Sequence, residues 1–243
     1  MKFESATQAA TNEIWKAIEP KVGSSGFLEE AAQALTSQLY STFEESMVIA
    51  RVFVTVPFGE LPAVNKKFVE NLASGSAGAL KPTTPVLSLI GTSGAQADWN
   101  DRRKSRGHAG IPLISAEFVA AIPMISRLLK ELGVPLGWVD SHDASMVVEA
   151  IGSSTGLFFV DDASQAVDQH GRKIIAAQDF VSASGLKSVF GLGGAYENGQ
   201  ILVVIAFCRD RLKRETAERF IGLVERFKAA TGNLAAPAKV FAS

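Results

Sequence analysis

The chain has 243 residues, 47% of them apolar and 20% charged, with a formal net charge of −1. That balance suits one soluble globular α/β domain with its own core, and it excludes a global field that would hold the protein on nucleic acid or an anionic membrane. Cys208 is the only cysteine, so an internal disulfide and a cysteine-based zinc cluster are excluded; with no apolar leader at Met1–Ser5 and no bilayer-length apolar run, a cytoplasmic location is expected.

In chain order, Ser5 to Glu19 is weakly helical through Ile14, Trp15 and Ile18, and Pro20 with Gly23–Gly26 is expected to break it. Phe27 to Glu44 reads as a stronger helix: Leu28, Ala31, Ala32, Leu35, Leu39 and Phe43 recur at three- and four-residue steps. Met47 to Val56, β-branched and bounded by Pro57, predicts a strand. Leu61 to Leu72 predicts an amphipathic helix with Val64, Phe68 and Leu72 on its apolar face and Pro62 in its first turn. A Ser/Gly/Ala loop follows from Ala73 to Leu80, then a short buried strand from Val86 to Ile90. Gly91 to Pro112 reads as a polar loop of about 20 residues, a length that in compact domains is usually functional or disordered.

Phe118 to Leu132 predicts a helix opening at Pro123. Leu136–Val139 and Leu157–Val160 read as strands with a short helix, Met146–Ile151, between them. A second loop runs from Asp161 to Arg172, and Ala176–Ser184 predicts a helix closed by Gly185. Lys187–Leu192 and Ile201–Phe207 read as strands joined at Asn198-Gly199, a type I′ hairpin signal, so the sheet is at least partly antiparallel. Arg211 to Ala230 predicts one closing helix with Gly232 just past its end. The expected division is a helical extension over 1–26, a single domain over 27–232 and a frayed tail over 233–243.

The order of FFVDDA, AAQDFVSASGLKSVFGLGG, YENGQILVVIAF and RDRLKRETAERFIGLVERF resembles the second half of a GAF domain, best over about residues 156–231. The helix and strand within residues 27–56 resemble the family's opening elements, whereas Pro57–Ser154 matches poorly. The resemblance implies a mainly antiparallel sheet, first and last helices packed together on one face, and a small-molecule pocket under long loops on the other. It also implies a sensory role in signal transduction, dimerisation through the terminal helices, and action on a separate output protein. The family's thiol reductases and cysteine-linked bilin receptors need cysteines near the pocket; Cys208 instead ends a buried strand, which counts against both.

The segment Asp98–Gly110 concentrates unusual chemistry. Arg102 and Arg106 suit carboxylate or phosphate, Trp99 can stack on a flat ligand, and Asn100, Asp101 or His108 can orient it. A solvated charged loop anchored by Trp99 is the plainer alternative. Asp161, Asp162, Asp168 and His170 sit on the loop that resembles the pocket rim, yet Asp-Asp-Ala after a strand is also an ordinary turn. His108, His142 and His170 have no metal-ligand spacing. Gly191–Gly194 lacks the following helix of a dinucleotide site, and a bulge is expected there instead. Leu35–Phe43 and Phe220–Phe227 are the candidate homodimer faces.

The expected function is a stand-alone GAF-like sensory or regulatory domain binding a small polar or anionic molecule through Trp99, Asn100, Asp101, Arg102, Arg106, His108, Asp161 and Asp168. No cofactor is identified, and no nucleic-acid or membrane partner is expected. The alternatives are a small-molecule enzyme using Asp101, His108 and Asp161, or a pure protein-interaction module.

Overall fold

In a computed structural model the chain is described at residues 1–75, 80–105, 107–141, 143–152 and 154–242. Two helices open it, α1 (Gln8–Ser24) and α2 (Leu28–Phe43), followed by β1 (Met47–Pro57), α3 (Ala63–Leu72), β2 (Pro85–Gly94) and β3 (Gly110–Pro112). Short helices α4 (Ala116–Ala120), α5 (Pro123–Glu131), α6 (Leu136–Ser141) and α7 (Ala144–Ile151) lead to β4 (Gly156–Val160) and α8 (Gln178–Ser184). The hairpin β5 (Ser188–Ala195) and β6 (Ile201–Cys208) precedes α9 (Arg214–Glu218) and α10 (Ile221–Thr231).

The strands form one six-stranded sheet in the order β3-β2-β1-β6-β5-β4, with every neighbouring pair antiparallel. Because alternate side chains point to opposite faces, each strand serves two cores. Along β1, Ala50, Val52 and Val54 enter the cluster beneath α1, α2 and α10, whereas Val48, Ile49 and Phe53 enter the one beneath α4 to α8. The terminal helices therefore share one face, as the resemblance implies. The opposite face departs from a cover of loops: α4 to α7 shelter its β4–β5 end and leave the surface of β1, β2 and β6 to other segments.

Several local expectations are corrected. Pro20 lies inside α1, because the buried stripe Ile14, Trp15, Ile18 and Val22 continues past it; packing outweighs a single missing amide bond. Pro62 is the N-cap of α3, which buries Asn65 and Val69 while Val64 and Leu72 are exposed. The strand β2 runs on through Gly91–Gly94: Gln33 bonds both the amide and the carbonyl of Thr92, and a Cβ at Gly91 would stand 2.6 Å from the Ala32 backbone. What reads as a long loop therefore holds the end of β2, two 3-10 turns and β3. Leu136–Val139 is helical, since three apolar side chains and a glycine after Pro135 fit a short buried helix as well as a strand.

The β5–β6 turn is not type I′, because Gly199 alone takes positive φ (81°) and Asn198 does not. The Gly199 amide bonds the Tyr196 carbonyl at 2.9 Å and the Tyr196 amide bonds Gln200 at 2.8 Å, a three-residue hairpin with a glycine bulge. Register through Gly191–Gly194 is unbroken, so no bulge forms there. Glycine is needed for close approach: a Cβ at Gly193 would stand 2.2 Å from the Leu202 carbonyl oxygen. The closing helix divides at Phe220, whose ring joins Phe3, Phe43 and Phe190. Residues 233–242 are docked rather than frayed, with Val240 and Phe241 buried. The proposed dimer residues Leu35, Leu39, Phe43, Phe220 and Phe227 are all buried within the single chain. The Ala73–Leu80 loop lies partly outside the described residues, as do Arg106 and His142.

Candidate functional site

Between the α4–α8 layer and residues 96–105 and 107–108, the sheet face is hollow. A cavity of about 530 Å³ opens there, within the usual range for small-molecule sites. Its floor is Ile49, Arg51 and Phe53 of β1, with Leu87 of β2 and Ile205 and Phe207 of β6. One wall comes from the start of α5, at Ile122 to Ile125, and another from Ile174, Ile175 and Phe180. The cover carries Gln96, Asp98, Trp99, Lys104, Gly107 and His108. Trp99, Phe180 and Phe207 form an edge-to-face series, with centroids 5.7 Å and 6.2 Å apart.

Arg51 is the charge on this floor. Its Nη1 donates to the Gly107 carbonyl at 3.2 Å, while its buried Nε has no hydrogen-bond partner among the described residues. Burial brings its pKa down to about 10, which leaves the guanidinium charged at neutral pH. Asp98 and Lys104, both exposed, sit at the rim. His108 holds a left-handed backbone, φ 58°, that places its ring on the cavity. Crowding by protein atoms, then the Arg51 charge, pushes its pKa below the ordinary value of 6.5, although solvent reaches the ring and screens the effect. No cluster of metal-ligating side chains exists among the described residues.

Of the residues singled out from sequence, Trp99 and His108 line the cavity. Asn100, Asp101, Arg102, Asp161 and Asp168 make local turn bonds or ion pairs instead, and Arg106 lies outside the described residues. Asn100 clamps the turn after β2, bonding the amide of Gly94 at 3.0 Å and its carbonyl at 3.2 Å. Asp101 accepts the Arg103 amide at 2.9 Å. Arg102 turns away to a buried ion pair with Glu29 of α2, and its guanidinium lies 4.7 Å from the centre of the Phe241 ring. Glu29 also accepts the Ala242 amide at 2.9 Å, so the cover, α2 and the C-terminal segment meet at one carboxylate.

Asp161 is exposed and accepts the next amide, Asp162. Asp162 caps Ser164 and Gln165 and pairs with Arg211 at 2.5 Å; the Ser164 hydroxyl is the first cause of its lowered pKa. Asp168 bonds Arg172, which reaches the Ala120 carbonyl at 2.8 Å and ties this loop to α4. No hydrogen bond among the described residues joins Asp101, His108 and Asp161. Sequence reasoning passed over Arg51, whose signal was the single charged residue in a ten-residue strand segment, Met47–Val56, that is otherwise apolar but for Thr55.

No protein-family model matches the chain, and no curated protein matches it. Solved structures do resemble it. The phycoerythrobilin-bound GAF domain from a cyanobacterial phytochrome aligns at TM-score 0.50 and 12% identity, over 95% of this chain and 97% of that one. The phycocyanobilin-bound GAF domain from a cyanobacterial phytochrome aligns at TM-score 0.50 and 13% identity, over 95% of this chain and 96% of that one. The fold is GAF-like.

Proposed function

We propose that this protein is a sensory or regulatory domain that binds a small molecule in the cavity over β1, β2 and β6. The carrying observation is the hollow itself: about 530 Å³ bounded by the sheet, α5, Phe180 and a cover bearing Trp99. A space of that size lined by apolar walls and a few polar groups is the usual form of a ligand site. The GAF-like fold supports the reading, since the two solved neighbours were determined with bilins bound. A cysteine-linked bilin is not part of the proposal. Cys208 belongs to the opposite core, and burial pushes its thiol pKa well up.

Asn100, Asp101, Arg102, Asp161 and Asp168 drop out of the ligand set because their side chains are engaged in turns and ion pairs. Arg51 and Phe180 enter it beside Trp99 and His108. The enzyme alternative loses its constellation, and the pure interaction module required that no such cavity exist. The proposal retains a cytoplasmic homodimer acting on a separate output protein. With Leu35, Phe43 and Phe220 already buried, that dimer would join the outer arcs of the terminal helices, and light scattering after size exclusion reads it.

Titration with the neutral apolar dye Nile red tests the site. Saturable one-to-one binding is expected for the native chain and not for Ile205→Phe, which fills the floor. Equal binding by both places the dye elsewhere and contradicts the proposal.

A further inference from the structure

Resting on that reading, we infer that the ligand is an apolar monocarboxylate whose carboxylate docks on Arg51 and whose hydrocarbon or aromatic body fills the space toward Phe180 and Ile175. The body follows from the walls. Ile49, Phe53, Leu87, Ile205 and Ile175 offer no hydrogen-bond partner to a sugar or a polar base.

The head group follows from charge. Asp98 and Lys104, both at the rim and exposed, carry opposite signs and are solvated. Inside, Arg51 is alone, for none of the salt bridges among the described residues includes it. Its Nη1 is taken by the Gly107 carbonyl, a neutral acceptor, and its Nε is buried without a partner. A buried cation in apolar surroundings is costly unless it is paired and hydrogen-bonded. A carboxylate on Nη2, which is neither sealed off nor hydrogen-bonded among the described residues, supplies an acceptor and one negative charge in the charge-assisted form that guanidinium favours. A phosphate dianion would bring a second charge to a floor with no second cation.

The experiment is isothermal titration of the full chain with decanoate and decan-1-ol, and with 2-naphthoate and 2-naphthol. The two pairs separate an alkyl source of the body from an aryl one, and the acid–alcohol contrast within each pair isolates the charge. At least one acid is expected to bind roughly 10- to 100-fold more tightly than its alcohol, the usual worth of a hydrogen-bonded charge. In Arg51→Gln that preference should vanish, and a circular dichroism spectrum matching that of the native chain shows that the variant is folded. Should Arg51→Gln fail to fold, Arg51→Lys carries the test: it keeps the charge without the fork, and a reduced but persistent preference for the acid is expected.

Alcohols binding as tightly as their acids would overturn the carboxylate assignment and leave the cavity standing as a binding site. Acid binding unaffected by either substitution would overturn it equally. If neither acids nor alcohols bind, and Nile red does not, the cavity reading falls with it.

Discussion

The two faces of this sheet are built from the same strands and differ in what they enclose. Beneath α1, α2 and α10 the packing is dense: Phe3 stacks on Phe43 at 4.3 Å and meets Phe220 and Phe190 edge-on at 5.4 Å and 5.5 Å. A void of about 20 Å³ lies there, against a cavity of about 530 Å³ on the other face. Packed cores hold few voids larger than a water molecule, so the hollow face departs from the rule and the dense face follows it. One face holds the fold together. The other is free to accept a guest at little cost to stability.

Substitutions sharpen that contrast. Phe43→Ala, on the dense face, should cost about 3–5 kcal/mol, read as a shifted urea midpoint with unchanged slope. Arg102→Ala comes next at about 2 kcal/mol, because Glu29, 7% exposed, loses its close ion-pair partner and keeps only Arg103 at 3.8 Å and the Ala242 amide. The same change should make residues 237–242 open to carboxypeptidase, since Arg102 and Glu29 hold that segment. An unchanged midpoint for Arg102→Ala would return Arg102 to the mobile binding loop expected from sequence.

Adding volume should split the faces in the opposite sense. Val52→Phe, into the helix-covered core, should cost about 1–3 kcal/mol, whereas Ile205→Phe, into the cavity, should stay within about 1 kcal/mol. Equal costs would mean that the cavity is not empty space available to a side chain.

The smallest effect concerns pH. The pKa of His108 is lower in the folded state than in the unfolded chain, so the folded chain binds fewer protons. Its contribution to stability is full above about pH 6.5 and is lost as pH falls through the lowered folded value. His108→Asn, which tolerates the left-handed backbone, should flatten that acid-side decline by a few tenths of a kcal/mol, measured by urea unfolding across pH 4 to 8.

The strands and terminal helices were legible because their patterns are long and periodic. Leu28 to Phe43 repeats a helical stripe, and Met47 to Val56 is too β-branched and too well bounded for a helix. Short segments were not. Leu136–Val139 carries three apolar side chains that suit either state, and Gly91–Gly94 looks like loop until Gln33 supplies its edge bonds. The site was legible only at Trp99 and His108. Charge density drew the reading to Arg102 and Asp161, yet Arg102 has a structural role that depends on Glu29, distant in sequence, and Asp161 accepts the amide of its neighbour Asp162. Arg51 was hidden for the converse reason: a lone cation in a strand gains meaning only when the sheet shows which face it enters.

Native mass spectrometry of the chain purified from its own host tests the central claim most directly. The native protein is expected to carry a noncovalent small molecule that Ile205→Phe lacks, the two chains being otherwise equally folded. A native chain that flies at its bare mass, or a bound molecule retained undiminished by the filled variant, would contradict a ligand site on the hollow face.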